Sequence, residues 1–312
     1  MSFLRSIIIA AALAFAATGM ARNPDRGDVN FIVVSDLGDY GGGDQKTVAR
    51  SVGEFAASFR PTAILNLGDT FHYYGVESVD DPGWQSNFEN IYTAPALHNM
   101  WYCVLGNHDY EGNTQAEIDY TSKSRRWNLP ARYYTKTFRG KGTSVEVIFI
   151  DTNPYLNRER TQPDLYPDAS RQDTAAQSRW LSEELAHADA DWVIVAAHHP
   201  VYSSRNDAVR QRADIQAHIE PIFASHRPDV YLSGDVHCFE HFRSEDGKTD
   251  YFTCTSGSNA YHVDEVSSQV LFADGHSGFA SLTATKSALE VTMYDKKGKI
   301  LYHFRKEKAP RP

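Results

Sequence analysis

The sequence is poor in cysteine and in basic residues. Its three cysteines, Cys103, Cys238 and Cys254, are an odd number, which excludes a fold held by a complete set of disulfides. Lys and Arg total 31 residues against 40 Asp and Glu, and the formal net charge is -9. This balance argues against a nucleic acid partner, because nucleic acid binding needs a basic surface. An acidic protein can still bind a small phosphate compound where metal cations lie between the two.

Long hydrophobic runs are also missing after residue 21. The residues before that point combine Arg5, an apolar run at 7–17 and the small residues Gly19 and Ala21. This combination predicts a secretory signal peptide at residues 1–21, cleaved after Ala21. A membrane anchor is the alternative, although the run is short for a bilayer. We therefore expect a secreted or periplasmic protein, monomeric and without a membrane span in its mature form.

No repeat, low-complexity segment or linker interrupts the rest of the chain, so we expect residues 22–312 to form a single domain. Apolar residues at a helical period predict helices at 44–59, 173–187 and 208–226, the last divided by Pro221. Short runs that are apolar at consecutive positions predict strands buried on both faces. Their order, βαβ-like at first and antiparallel at the end, indicates two packed mixed sheets flanked by helices. The strands are predicted at residues 29–34, 63–67, 100–105, 145–150, 192–197, 230–232, 251–255, 278–285, 289–294 and 300–304.

Polar residues with metal-binding side chains follow five of these predicted strands. Ligands gather at the carboxyl ends of strands in such sheets, and glycines allow the chain to turn sharply there. A single Gly-Asp after a strand is usually a turn, whereas five such strand ends in order predict a metal site. Carboxylates combined with imidazoles favour Fe, Mn or Zn over Ca or Mg. The residues are Asp36, Asp69, Asn107, His108, Asp109, His198, His199, Asp235 and His237.

This order of motifs resembles the calcineurin-like metallophosphoesterases, and within them the small, tartrate-resistant animal type of purple acid phosphatase. The resemblance covers about residues 30–300, and it extends to the segments 75–81, 126–130 and 200–203 between the motifs. It implies an α/β fold, the four-layer αββα sandwich with two mixed sheets and a metal site at the carboxyl ends of the strands. This fold agrees with the predicted order of elements.

The resemblance also implies a role for each matching residue. It implies hydrolysis of phosphate monoesters, as in acid phosphatases, by a metal-bound hydroxide that attacks phosphorus in line. His108 would contact the substrate and donate a proton to the leaving alkoxide, with Asp109 orienting it through a hydrogen bond. Asn107 and His199 are further candidates for contact with the substrate. The implied ligands are Asp36 and His237 for the first metal ion, Asn107 and His198 for the second, and Asp69 between the two.

Two positions depart from the pattern of that family. His72 stands where the family has a tyrosinate on the first metal ion, and Asp235 where it has a histidine on the second. Together the two changes keep three formal negative charges among the ligands and move one towards the second metal ion. We hypothesise a working site with His72 on the first ion and Asp235 on the second; decay of the site is the alternative. The cofactors would be Fe with a divalent ion (Zn, Mn or Fe), or two divalent ions, which the loss of tyrosinate favours.

Two other functions stay open at this point. A phosphodiesterase of the same superfamily would use the same metal ions and differ only in the walls of its pocket. A non-catalytic exported protein could bind phosphate through a degenerate site. The residues Asp69, Asn107 and His108 argue against the second alternative, because a relic would be expected to lose them. In either enzyme the expected partner is a small phosphate ester.

Overall fold

Two mixed β-sheets lie face to face at the centre of the protein, and helices cover their outer faces. The structure is a computed structural model that describes residues 28–205, 209–263 and 269–308. The predicted signal peptide at residues 1–21 lies outside these residues. The layers, helix on sheet on sheet on helix, confirm the predicted αββα sandwich.

The strands of the two sheets alternate along the first half of the chain with helical segments. In chain order they are β1 (Val29–Val34), β2 (Ala63–Asn66), β3 (Trp101–Cys103), β4 (Trp127–Asn128), β5 (Tyr134–Arg139), β6 (Ser144–Phe149), β7 (Trp192–Ala196), β8 (Val230–Ser233), β9 (Phe239–Arg243), β10 (Asp250–Thr253), β11 (Val270–Asp274), β12 (Gly278–Ala284), β13 (Ala288–Asp295) and β14 (Ile300–Glu307). Strands β4, β5, β9 and β11 are not among the predicted strands.

Each sheet combines a run of parallel strands with antiparallel strands. Within the described residues the first sheet has the order β14-β13-β12-β1-β2-β3-β4, and the second has the order β11-β9-β10-β8-β7-β6-β5. Strands β1 to β4 pair in parallel, as do β6, β7, β8 and β10. The last three strands of the first sheet pair antiparallel. This arrangement confirms the predicted change from βαβ-like to antiparallel order.

Strand β1 shows why consecutive apolar residues suit this fold. Phe31 and Val33 point into the core between the two sheets, while Ile32 and Val34 point into the core beneath the outer helices. Neighbouring side chains of a strand face opposite ways, so both faces of β1 require apolar residues.

The outer layers are built from amphipathic helices. On the first sheet lie α1 (Gln45–Phe59) and α2 (Thr114–Tyr120), and on the second lie α4 (Thr174–His187) and α5 (Val209–Ser225). A short helix, α3 (Asn157–Arg160), precedes α4. Shorter helical turns lie at Trp84–Glu89, Pro95–Leu97, Asp109–Glu111, Asn153–Tyr155 and Ala169–Arg171.

The helix α5 does not divide at Pro221, so that prediction is wrong. Pro221 lies inside a continuous helix, on its exposed side. Proline removes one N–H from the helical ladder, but at an exposed position water can hydrogen-bond the carbonyl that is left unpaired.

The three cysteines, Cys103, Cys238 and Cys254, are buried, and Cys238 and Cys254 do not form a disulfide. Across the described ranges, no helix combines the length and the hydrophobicity that crossing a membrane requires.

The two sheets meet at one edge, where their parallel strands end. Beyond β1, Ser35 forms a parallel bridge with Ser256, which follows β10 of the other sheet. In the first sheet the N–H of Leu67 donates to the carbonyl of Val34, and in the second the N–H of Gly234 donates to the carbonyl of His198. The carboxyl ends of both sheets therefore lie side by side.

Candidate metal centre

The predicted ligands converge at this shared edge. Each follows a parallel strand, and its side chain points into the space between the ends of the two sheets. Most of these side chains are buried, so their charges require partners. They are Asp36 after β1, Asp69 and His72 after β2, Asn107 after β3, His198 after β7, and Asp235 and His237 after β8.

The backbone turns sharply where it carries these side chains. Asp36, Asp69, Asp235 and His237 have φ angles of 51°, 53°, 69° and 55°, in the left-handed region. Few residues other than glycine adopt this conformation, and Asp is among those that tolerate it best. Gly68 has a φ of 96°, and a Cβ there would lie 2.8 Å from Nδ1 of His198. The glycine before Asp69 is therefore required both by the turn and by the approach of another ligand.

The first group of donors contains Asp36, Asp69, His72 and His237. Nε2 of His237 lies 3.3 Å from Oδ1 of Asp36, and Nε2 of His72 lies 3.0 Å from Oδ2 of Asp69. Both rings are fixed by a hydrogen bond from the nitrogen that faces away from the site. Nδ1 of His72 donates to the carbonyl of Gly38, and Nδ1 of His237 donates to a backbone carbonyl. Each Nε2 is thereby left facing the site, as in metal-binding imidazoles.

The second group contains Asp69, Asn107, His198 and Asp235. Nε2 of His198 lies 3.1 Å from Oδ1 of Asn107, 3.5 Å from Oδ2 of Asp69 and 3.8 Å from Oδ1 of Asp235. The same ring donates from Nδ1 to the carbonyl of Leu67 at 2.7 Å. Asp69 contacts both groups and is in the position of a bridging ligand.

The carboxylates and imidazoles of the site shift one another's pKa values. Burial alone would raise the pKa of Asp69, but His198 and His72 outweigh it and hold that pKa well below its usual range. Burial alone would lower the pKa of His72, yet its hydrogen bond to Asp69 raises the pKa to about 9. The pKa of His198 is likewise raised by Asp69 against the effect of burial. Protons on imidazoles thus balance the carboxylates, and metal ions would displace those protons.

The donors fit a pair of transition metal ions. Oδ1 of Asp36 is buried, and within the described residues it makes no hydrogen bond of good geometry, its near neighbour being Nε2 of His237 at 3.3 Å; such a carboxylate oxygen is stabilised when a cation lies against it. Carboxylate, amide and imidazole donors match Fe, Mn or Zn better than the all-oxygen sites of Ca or Mg. The groups Asp36–His72–His237 and Asp36–Asp69–His198 each place their donor atoms within 4.8 Å of one another.

Asp235 lies within reach of the second group despite its short side chain. Its Oδ1 is 3.8 Å from Nε2 of His198, and its N–H donates to Oδ2 of Asp36 at 3.1 Å. Burial raises the pKa of Asp235 to about 7, a change that His198 opposes and that the charges of Asp36 and Asp69 reinforce. A carboxyl in this setting is stabilised as the anion when a cation is bound beside it.

His108 contacts a carboxylate, but not the expected one. Its Nδ1 lies 3.1 Å from Oε1 of Glu111, and its N–H donates to Oδ1 of Asp69. Asp109 instead accepts hydrogen bonds from the backbone N–H groups of Asp69, Gly106 and Phe71. The expectation that Asp109 orients His108 is therefore corrected: Asp109 holds the backbone of Asp69, and Glu111 lies against the imidazole. The geometry follows from the turn Asp109–Glu111, which places residue 111 beside residue 108.

His199 does not line an open surface, as a contact with the substrate would require. Its side chain is fully buried, with Nδ1 2.9 Å from the hydroxyl of Thr152. Its Nε2 lies 3.9 Å from Oδ1 of Asp235 and 3.6 Å from Oε1 of Glu159. His199 was expected to contact the substrate, but its imidazole is buried beside Asp235.

A cavity of about 880 Å³ opens beside Asp235. Arg158, Arg205 and Tyr261 contribute to its walls. The guanidinium of Arg205 lies 4.7 Å above the ring of Tyr261, which in turn stacks on His237 at 4.5 Å. The wall of the cavity therefore contacts the first donor group through Tyr261, and it presents two arginines beside the carboxyl groups of Asp214 and Asp235.

Several residues of the site escape prediction from the sequence. Glu111 has a usable signal, since it lies three residues after His108 at the spacing of one helical turn. Glu159, Arg158 and Tyr261 follow no motif, because they reach the site from segments far along the chain. Only the fold brings them there.

Comparisons with known proteins agree with this geometry. The family model described as calcineurin-like phosphoesterase matches residues 29–239. Purple acid phosphatase 7 of Arabidopsis thaliana is 32% identical over 289 residues, which cover 88% of this chain and 85% of the relative. Tartrate-resistant acid phosphatase type 5 of Sus scrofa is 30% identical over 302 residues, covering 88% of this chain and 86% of the relative.

A solved structure shares the fold across most of the chain. It is described as GAP50, the anchor in the inner membrane complex of Plasmodium, and the TM-score is 0.79 at 22% identity. The match covers 91% of this chain and 90% of that one. At this level of identity the similarity shows the fold alone.

Proposed function

The chain belongs to the calcineurin-like phosphoesterase family, and we propose that it hydrolyses phosphate monoesters at the dinuclear metal centre described above. Its relatives include named purple acid and tartrate-resistant acid phosphatases, and metal-dependent phosphoester hydrolysis is the function that the family and the site support. The observation that carries the proposal is the bridging position of Asp69 between two buried donor groups. Such a pair of sites suits a phosphate group, whose oxygens can contact both ions.

The side chains divide between two metal ions. Asp36, Asp69, His72 and His237 would hold the first, and Asp69, Asn107, His198 and Asp235 the second. When bound, the two ions neutralise the phosphate oxygens and lower the pKa of water. Asp109 keeps Asp69 in place through three backbone hydrogen bonds. The carboxylates at 36, 69 and 235 leave one net positive charge if both ions are divalent, which attracts an anionic ester.

His108 is the proposed proton donor to the leaving oxygen. Its Nδ1 faces Glu111, so the other nitrogen, Nε2, is available to the substrate. The imidazole is part-exposed, unlike the buried rings of the donor groups, and its edge contacts Tyr73. Burial lowers the pKa of His108, and the negative charge of Asp69 opposes this and favours the protonated form that an acid catalyst needs.

We propose two divalent ions (Mn, Zn or Fe) over a pair that contains Fe(III). His72 offers a neutral nitrogen to the first ion, and the phenols of the neighbouring Tyr73 and Tyr74 are about half or more exposed. Fe(III) prefers a hard anionic donor, and a tyrosinate on iron would give a strong visible band. The purified native protein should show no such band.

The experiment that tests the proposal measures metal content and turnover together. Wild type should retain two metal equivalents and hydrolyse p-nitrophenyl phosphate faster than bis(p-nitrophenyl) phosphate. Asp235→His and Asp235→Asn should each lose part of the second equivalent and turn over more slowly. If Asp235→His instead raises both metal content and rate, Asp235 is a sign that the site has decayed, and the proposed ligand set is wrong. If the diester is the faster substrate, the protein is a phosphodiesterase.

We also propose export and a monomeric mature chain. The pattern of Arg5, the apolar run at 7–17 and Ala21 supports cleavage after residue 21, with residues 22–312 as one domain. Amino-terminal sequencing of the protein recovered outside the cytoplasm tests the cleavage, and sedimentation tests the monomer.

A further inference from the structure

A buried imidazole nitrogen next to the second donor group has no hydrogen-bond partner. Nε2 of His199 is enclosed and unpaired within the described residues. It lies 3.9 Å from Oδ1 of Asp235, and the ring lies 4.8 Å from that of His198. A buried donor or acceptor without a partner is costly and in native proteins usually indicates a missing ligand or water. The donor atoms of His198, His199 and Asp235 lie within 4.8 Å of one another.

The ring of His199 is held through Nδ1, like the rings of the three proposed histidine ligands, but by a side-chain hydroxyl in place of a backbone carbonyl. His72, His198 and His237 each use Nδ1 to donate to a backbone carbonyl and direct Nε2 into the site. Nδ1 of His199 lies 2.9 Å from Oγ1 of Thr152, which also accepts the N–H of His199 at 3.1 Å. A hydrogen bond to the nitrogen that faces away from the site is typical of metal-binding imidazoles, and here it fixes the direction in which Nε2 of His199 points.

We propose that Nε2 of His199 is a ligand of the second metal ion and replaces the imidazole that position 235 has exchanged for a carboxylate. The inference rests on the proposed dinuclear function. Donor atoms bound to one transition metal ion lie about 2.0–2.2 Å from it, and so roughly 3–4.4 Å from each other. The 3.9 Å between His199 and Asp235 fits this range. The second ion would then have two imidazoles, His198 and His199, together with Asp69, Asn107 and Asp235.

A rival partner for the same nitrogen is Glu159. Its Oε1 is 3.6 Å from Nε2 of His199, and in the part of the chain that the structure describes its other carboxyl oxygen, Oε2, has no hydrogen-bond partner. In that arrangement His199 would only link Glu159 to Asp235 and would orient the carboxylate without touching the ion. The two roles differ in the number of imidazoles on the metal pair.

The test counts imidazoles on the bound metal ions by X-ray absorption spectroscopy of the loaded protein. Wild type should show four per pair of ions, from His72, His198, His199 and His237, and His199→Gln should show three. In the same variant the affinity for the second ion should fall by more than about tenfold, measured by competition with a chelator. Thr152→Val keeps the imidazole but removes its anchor, so it should keep the count of four and weaken the second ion less.

The controls separate this inference from the proposed function. His241→Gln removes a buried imidazole that hydrogen-bonds Asp250 and belongs to neither donor group, and it should leave both metal equivalents in place. A count of three in both wild type and His199→Gln would overturn the inference, even if affinity fell, because His199 would then act only through Asp235. Hydrolysis of p-nitrophenyl phosphate by wild type with two bound ions would leave the proposed function standing in that case.

Discussion

A carboxyl group that the site does not use gives a sharp test of the structure. Glu117, on the helix α2, is fully buried, and neither of its carboxyl oxygens has a hydrogen-bond partner among the described residues. Burial raises its pKa well above 4.5, and the charges of Asp109 and Asp69 add to this effect. The folded protein therefore holds a proton on Glu117 that the unfolded chain releases. Because the native state binds the extra proton, its stability falls as the pH rises above 4.5.

Glu117→Gln replaces the neutral acid by a neutral amide that does not titrate. The stability of the variant relative to wild type should rise by about 1.4 kcal/mol per pH unit above 4.5, for as long as the folded carboxyl stays protonated. Over the three units from pH 4.5 to 7.5 the relative gain is at most about 4 kcal/mol. Any fixed cost of burying the amide shifts the whole curve and leaves this slope unchanged.

The assay is urea unfolding of the metal-free protein at a series of pH values. Working without metal ions keeps their own proton release out of the comparison. Glu183→Gln, at an exposed position of α4, provides a control for the loss of a carboxylate in water. A difference between Glu117→Gln and wild type that stays constant from pH 4.5 to 7.5 would show that Glu117 is not enclosed as described.

Three further predictions concern the site. Gly106→Ala would place a Cβ 2.1 Å from Oδ1 of Asp69, so we expect metal analysis to show loss of bound metal; full occupancy would contradict the bridging geometry. Glu111→Gln should slow the hydrolysis of alkyl phosphates by about 10- to 100-fold while barely affecting p-nitrophenyl phosphate, whose leaving group needs no proton. Equal loss on both substrates would argue against its action through His108. Arg158→Ala should raise KM several-fold at unchanged kcat, since the side chain faces the cavity and touches no donor group; the exposed Arg171→Ala is the control.

Most of the parallel strands of each sheet could be predicted from the sequence because they are apolar on both faces. Among the described strands, three of the four at sheet edges, β4, β5 and β11, could not. Strand β5 is Tyr134–Arg139, with Lys136 and Arg139 exposed, and it pairs along only one side in its sheet. Strand β9 is central but carries Glu240 and His241, which are buried through hydrogen bonds to Ser204 and Asp250. Buried polar residues of this kind make a strand hard to recognise in the sequence, because their hydrogen-bond partners come from other segments of the chain.

The convergence of the proposed metal ligands could be predicted for a different reason. Each directly follows an apolar run, and the carboxyl ends of parallel strands must meet, so a local pattern is enough to bring them together. The residues that support them depend on pairings with no local pattern. Thr152 and His199 are separated by 47 positions, and the contact between Glu159 and His199 joins α3 to the segment after β7. The role expected for Asp109 was wrong because adjacency in sequence to His108 says nothing about the direction of its side chain.

The left-handed turns at Asp36, Asp69, Asp235 and His237 have a consequence for the history of such a site. The backbone sets the direction of each Cα–Cβ bond, whichever side chain the position carries. A codon for His becomes one for Asp by a single nucleotide change, and Asp adopts this conformation more readily than most residues. A descendant can therefore exchange one donor for another without rebuilding its loops, and each exchange changes which metals the same scaffold prefers. Selection on metal supply could act on this centre one ligand at a time.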